Sequence, residues 1–139
     1  MYIIYNLLLI VVFIVFVLPY YTYRLFTEKG FSRRFRQSLG KVNNKEIEKV
    51  MRKDCIWIHG ASVGEIVATS PLVKQIRLEM PDRPILVSAF TVGGYNMAKQ
   101  IIPEADAIIF FPLDLPFVAE SMVKRIHPGI FMPVETELW

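Results

Sequence analysis

The sequence predicts an α/β fold, a parallel sheet preceded by one membrane-spanning helix. Three observations predict it. From Cys55 onward, short apolar runs alternate with segments of helical periodicity. A turn of small residues, His59-Gly60-Ala61-Ser62-Val63-Gly64-Glu65, joins the first such run to the first such helix. Residues 1–23 carry no charged side chain at all.

That N-terminal segment accounts for a mean hydropathy of +0.38 and a hydrophobic content of 53% in a chain of 139 residues. Tyr2 to Leu18 is almost wholly apolar, Asn6 excepted. At about 1.5 Å per residue the segment reaches roughly 34 Å, and a bilayer core needs about 30 Å. Tyr20, Tyr21 and Tyr23 fall where aromatic rings settle at an interface, and Arg24 follows them. A cleaved signal peptide fits less well. No Lys or Arg precedes the apolar run, and no small-x-small cleavage pattern follows it. Residues 1–23 are therefore expected to be a retained transmembrane anchor.

Charge sets the expected orientation. Residues 24–53 hold ten basic and three acidic side chains, and residues 54–139 hold six and ten. The net +3 thus resolves into a basic juxtamembrane segment and an acidic body. Basic residues flanking a first helix stay on the cytoplasmic side, so the body, residues 54–139, is expected in the cytoplasm. The basic segment also suits anionic lipid headgroups. It contains no recognisable nucleic-acid reading module, and no nucleic-acid partner is expected. Cys55 is the single cysteine, which excludes an internal disulfide and reads as a packed thiol in a strand. His59 and His127 have no ligand-spaced Cys or His neighbours, so no metal site is expected.

The elements follow in order. Phe31–Arg52 reads as helical and peripheral. Cys55–Ile58 is the first strand. Glu65–Met80 carries apolar residues at 66, 67, 72, 73, 76 and 80, a helical stripe that Pro71 is expected to kink or shorten. Pro81-Asp82-Arg83-Pro84 is a turn and Ile85–Phe90 the second strand. Thr91-Val92-Gly93-Gly94 reads as a loop before a helix over Tyr95–Ile102. Ala107–Phe111 is the third strand, Phe117–Ile126 a helix and Ile130–Val134 the fourth strand. Strands linked by helices imply a Rossmann-like parallel sheet with right-handed crossovers.

In such a sheet the strand-end loops hold the chemistry. Glu65 sits at a predicted helix N-terminus, and Glu135-Thr136-Glu137 closes the last apolar run. Two readings of Glu65 stand side by side. Ser62-Val63-Gly64-Glu65 fits the S-x-x-E capping box, which is purely structural. The same carboxylate is also placed to act on a ligand. His59 either orients a ligand or pairs with backbone. Asp114 reads as a turn former. Glu135 and Glu137, two apart, face one side of an extended chain, and solvated loop acids are the simpler alternative. Thr91-Val92-Gly93-Gly94 is not a dinucleotide fingerprint.

The order of blocks carries a resemblance. An N-terminal anchor is followed by IWIHGASVGE (56–65), FPLDLP (111–116) and PVETELW (133–139). Together they resemble the 3-deoxy-D-manno-octulosonic acid (Kdo) transferase family along the whole chain. The resemblance implies the N-terminal half of a two-domain GT-B glycosyltransferase of lipopolysaccharide biosynthesis. It implies transfer of Kdo from CMP-Kdo to a lipid A precursor at the cytoplasmic face of the cell inner membrane, with no cofactor. The chain departs from the family's Thr-Pro-Thr-Gly loop at Thr91-Val92-Gly93-Gly94, and it stops at Trp139 where the family continues. An acceptor-binding fragment, inactive alone, is the expectation. The resemblance implies Glu65 as general base and Glu137 as its catalytic partner. It implies substrate contacts from His59, Gly60, Ala61, Ser62, Gly64 and Glu135, the small residues admitting substrate close to the backbone. Another membrane-anchored GT-B enzyme, or a non-catalytic membrane-tethered α/β domain, remain the alternative classes.

Overall fold

Four short apolar runs pair side by side; the first three are largely buried on both faces, the pattern of strands covered by helices above and below, and the last, at the sheet edge, is partly exposed. In the computed structural model, which describes residues 15, 19, 20, 22, 23 and 30–135, they are β1 (Ile56–Gly60), β2 (Ile85–Ala89), β3 (Ala107–Phe110) and β4 (Ile130–Pro133). The helices are α1 (Phe31–Ser38), α2 (Asn44–Ile47), α3 (Val63–Glu79), α4 (Val92–Ile101) and α5 (Pro116–Ile126). The chain divides into two units, Met1–Ser32 and Arg33–Trp139.

In the first unit, Thr22 Oγ1 donates to the Pro19 carbonyl at 2.8 Å, and Val15, Tyr20 and Tyr23 are exposed. Most of the predicted anchor, 1–23, lies outside the described residues. Among the described residues no helix is long and apolar enough to cross a membrane.

The second unit holds the sheet. Its order is β3-β2-β1-β4 and every pairing is parallel, with Ile58 opposite Val87 on one side and Met132 on the other. The chain therefore builds outward from β1 through β2 to β3, then returns to the opposite side of β1. That reversal is the topological switch, the place where α/β sheets open a crevice at their strand C-terminal ends.

Alternation along the strands sends residues to two cores. Ile56, Ile58, Ile85 and Val87 meet Ile66 and Val73 of α3 and Tyr95 and Ala98 of α4. Cys55, Trp57, Leu86 and Ile109 meet Met122 and Ile126 of α5. The second core also takes in Val42, Ile47 and Val50. Residues 31–52 are thus not a peripheral helix. They form two short helices, and the backbone N–H of Phe110 donates to Gln37 Oε1 at 2.9 Å in the interior.

Pro71 does not shorten the helix: it lies inside α3 and is exposed. One more boundary differs from expectation. The loop expected at 91–94 is the start of α4: Thr91 is its N-cap and accepts from Gly94 N–H at 3.0 Å.

Candidate functional site

The C-terminal ends of β1 and β4 lie side by side. His59 pairs in register with Pro133, and Val134 N–H donates to the His59 carbonyl at 2.9 Å. The next residue, Glu135, is exposed at that same edge. The switch point thus brings together the turn of residues 59–65 and the start of the acidic cluster. Glu137, the expected catalytic partner, lies outside the described residues.

The turn after β1 is fixed by reciprocal bonding. Ser62 is the N-cap of α3, and Glu65 N–H donates to its Oγ at 3.4 Å. The Glu65 carboxylate reaches back and accepts from Ala61 N–H at 2.7 Å and Ser62 N–H at 3.0 Å. The capping box is formed. Ala61 is held from its other side as well, its carbonyl accepting from Phe90 N–H, Thr91 N–H and the Thr91 hydroxyl at 3.1–3.3 Å.

Small residues serve this turn in different ways. Gly60 is buried, and a Cβ there would lie 3.2 Å from Ile66 Cδ1 and 3.3 Å from Glu65 Cβ. Its bareness is used by the strand-to-helix packing. Gly64 is exposed, and an added Cβ would meet only Ser62 Oγ at 4.0 Å. Ala61 and Ser62 lie between them, half-buried and exposed.

Electrostatics separate the two titratable groups of the turn. Burial pushes the Glu65 carboxyl up, but hydrogen bonds from the Ser62 side chain and the Ala61 and Ser62 N–H groups, with His59 nearby, hold it below the usual range. It is therefore ionised at neutral pH. Burial pushes His59 down, outweighing a Ser88 backbone bond and the charge of Glu65, so its imidazole is neutral at pH 7.

His59 is half-buried and lies against a cleft of about 520 Å³. The other walls are Ala61, Phe90 and the segment Phe111-Pro112-Leu113-Asp114 after β3. The ring stacks on Phe111 with centroids 3.9 Å apart at 21°. Its Nδ1 is 3.2 Å from the Ser88 carbonyl oxygen and 3.0 Å from Ser88 Oγ, which also accepts from Trp57 Nε1–H at 2.8 Å. Arg34 covers the Phe90 ring at 4.8 Å. A separate hollow of about 410 Å³ runs beside α5, lined by Arg52, Phe117, Lys124 and neighbours. It has no acid–base group of the 59–65 turn in it. Among the described residues no three His, Cys, Asp or Glu side chains gather as metal ligands would.

An apolar cleft with a few convergent polar groups is the usual form of a small-ligand site. Comparison with known proteins agrees with the motifs. Residues 32–139 match the model of the family described as 3-Deoxy-D-manno-octulosonic-acid transferase (kdotransferase).

The chain belongs to the Kdo transferase family of glycosyltransferases.

A 3-deoxy-D-manno-octulosonic acid transferase of Haemophilus influenzae is 37% identical over 84 residues, covering 60% of this chain and 20% of that protein. The transferase of the same name from Chlamydia trachomatis is 33% identical over 85 residues, with coverages of 60% and 20%. That of Rickettsia felis is 30% identical over 108 residues, with coverages of 78% and 23%. The chain thus spans about a fifth of the length of the curated relatives it matches.

The motif residues His59 to Glu65 are brought together at one sheet edge with Glu135. Ser88, Phe111 and Phe90 were not marked by sequence. The available signal was period-two alternation, which puts Trp57 and His59 on one face of β1 and Ser88 beside His59 on β2.

Proposed function

We propose that this chain is the acceptor-binding part of an enzyme that transfers Kdo from CMP-Kdo to a lipid A precursor in lipopolysaccharide biosynthesis. The observation that carries the reading is the position of the family's motif residues, His59 to Glu65, at the topological switch of the sheet, beside a 520 Å³ cleft. In this reading residues 1–23 hold the enzyme in the inner membrane, and the body faces the cytoplasm. Residues 1–139 alone bind the acceptor without transferring Kdo, since the nucleotide-sugar contacts of the GT-B layout come mainly from a second domain.

The chemistry asks for a base. An acceptor hydroxyl attacks the anomeric carbon of Kdo, the bond to CMP breaks, CMP leaves with the electron pair, and the hydroxyl proton goes to a carboxylate. We assign that carboxylate to Glu65. Each of its oxygens accepts one N–H in the capping box, and a carboxylate has about four lone-pair sites, so acceptor capacity remains. Glu135 and Glu137 would hold acceptor hydroxyls beside it. Ser62 and Gly64 would face the substrate, while His59 and Ala61 line the cleft.

Glu65→Gln in the full enzyme separates the two duties. Gln keeps the size and one of the two acceptor oxygens of the box, so the fold is kept at a small cost in stability. If Glu65 takes the proton, kcat falls by about 10²–10⁴-fold. Turnover near wild type in a well-folded Gln variant would remove Glu65 from the chemistry and leave it as a cap.

A further inference from the structure

We infer that His59 presents an unprotonated Nε2 to the cleft as the hydrogen-bond acceptor for a saccharide hydroxyl, its tautomer set by the Ser88 carbonyl. The saccharide half of this inference rests on the acceptor-binding reading above; the tautomer half does not.

The two Ser88 atoms near Nδ1 differ in what they can do. A carbonyl oxygen only accepts, so the nitrogen 3.2 Å from it must donate. A lone pair on Nδ1 would face the carbonyl's own lone pairs. The Ser88 hydroxyl, 3.0 Å away, can give or take, and it already accepts the Trp57 indole N–H. A proton on Nδ1 satisfies both contacts. A neutral imidazole has one N–H, so Nε2 then holds the lone pair. Among the described residues Nε2 has no hydrogen-bond partner in the protein.

The surroundings favour a neutral, fixed acceptor. Stacking on Phe111 fixes the ring plane. The charged groups near it are Glu65 at the start of α3, Asp114 beyond β3 and Arg34 of α1 over Phe90. Burial outweighs the pull of Glu65 and keeps the ring uncharged at pH 7. Phe90, Phe111, Pro112 and Leu113 give the cleft apolar walls suited to the C–H face of a sugar ring. Hydroxyls entering such a cleft need acceptors, and Glu65 is not among the residues that line it. His59 Nε2 supplies a basic atom that no described residue engages.

The test is ¹⁵N NMR of the imidazole in the full 139-residue chain, in detergent micelles at pH 7. Without ligand, Nδ1 is expected to show the protonated-type shift and Nε2 the lone-pair type. The reverse assignment overturns the inference. Ser88→Ala keeps the carbonyl and removes the hydroxyl, so the Nδ1–H tautomer should persist. A switch to Nε2–H in that variant would mean that the hydroxyl, accepting from Nδ1–H, had set the tautomer rather than the carbonyl, and the inference fails. The lipid A precursor is then added to the wild-type sample. The Nε2 resonance should move as it accepts a hydroxyl while Nδ1 stays in place. Binding that leaves Nε2 unmoved overturns the acceptor role while sparing the function proposed above. Failure of the precursor to bind removes that function, and the ligand half of this inference with it; the ligand-free spectrum still decides the tautomer.

Discussion

At Glu65 the fold and the proposed chemistry meet on one carboxylate. The capping box favours its ionised form, because two backbone N–H groups point at it. A proton acceptor also needs it ionised, but prefers a pKa close to the working pH. The bonds that lower the Glu65 pKa therefore weaken it as a base while keeping it fully available as an anion. The sign of the pH effect follows. A carboxyl whose folded pKa is depressed adds stability above its unfolded pKa, near 4.5, and loses it as pH falls through the lower folded value. Glu65→Gln has no such titration. Wild type should thus melt higher than the Gln variant at pH 6–7, and the gap in Tm should close as pH drops below 4.5. A gap that stays constant from pH 7 to pH 3 would show that ionised Glu65 adds no stability. His59 acts in a neighbouring window. Its depressed pKa makes the folded state lose stability as pH falls below about 6.5, where the unfolded chain takes up a proton first. Cys55 behaves oppositely: burial pushes its thiol up to about 11, the state of a packed, unreactive sulfur.

Among the elements, the strands were legible because their signal is local. Ile56–Ile58, Ile85–Val87 and Ala107–Phe110 are apolar on both faces, the last two opened by Pro84 and Asp106, and they pair as read. The start of α4 was misread because a Gly pair ordinarily marks a loop. There the close quarters decide: a Cβ on Gly94 would lie 3.1 Å from Thr91 Oγ1 and 3.4 Å from the Ala61 carbonyl oxygen. Packing between two turns, invisible to local pattern, selects glycine in a helix. Residues 31–52 were misread for a similar reason. Their charges dominate the pattern, while the burial of Val42, Ile47 and Val50 depends on α5 and β3 far along the chain. Gln37 makes the point measurable. Its Nε2 donates to Glu46 at 2.6 Å, and its Oε1 takes the buried Phe110 N–H, 73 residues away. Gln37→Ala leaves that N–H without a partner in the interior and should cost about 1–3 kcal/mol of stability. Urea denaturation of both proteins measures it, and a loss under about 0.5 kcal/mol would mean that water replaces the amide. The site was legible in the same uneven way. HGASVGE marks its own turn, but the Trp57–Ser88–His59 contacts join strands 31 and 29 residues apart, and no local pattern reports them.

For the molecule as a whole, charge and fold divide differently than the sequence alone suggests. The basic segment 24–53 reads as a collar between anchor and body, yet from Arg33 onward it belongs to the same unit as the sheet. Arg33 donates to the Tyr95 hydroxyl of α4 at 3.0 Å, and Arg125 donates to the Val42 carbonyl and to Asn44. Arg33 of the segment is thus tied into the domain that carries the cleft, so a membrane that attracts the segment would hold that domain near the lipid acceptor proposed above. Each Lys or Arg near an anionic leaflet contributes about 1 kcal/mol. The orientation proposed here has the basic segment and the body on the cytoplasmic side, because positive flanks of a first helix are retained there. In sealed inverted inner-membrane vesicles that side faces out. Added protease should then digest residues 54–139, while intact right-side-out spheroplasts protect them. Protection in the inverted vesicles with digestion in the spheroplasts would reverse the orientation and remove the body from a cytoplasmic CMP-Kdo supply. Release of the whole chain by a high-salt wash, with nothing left in the bilayer, would instead mean that the basic residues alone hold it to the surface and that residues 1–23 do not span.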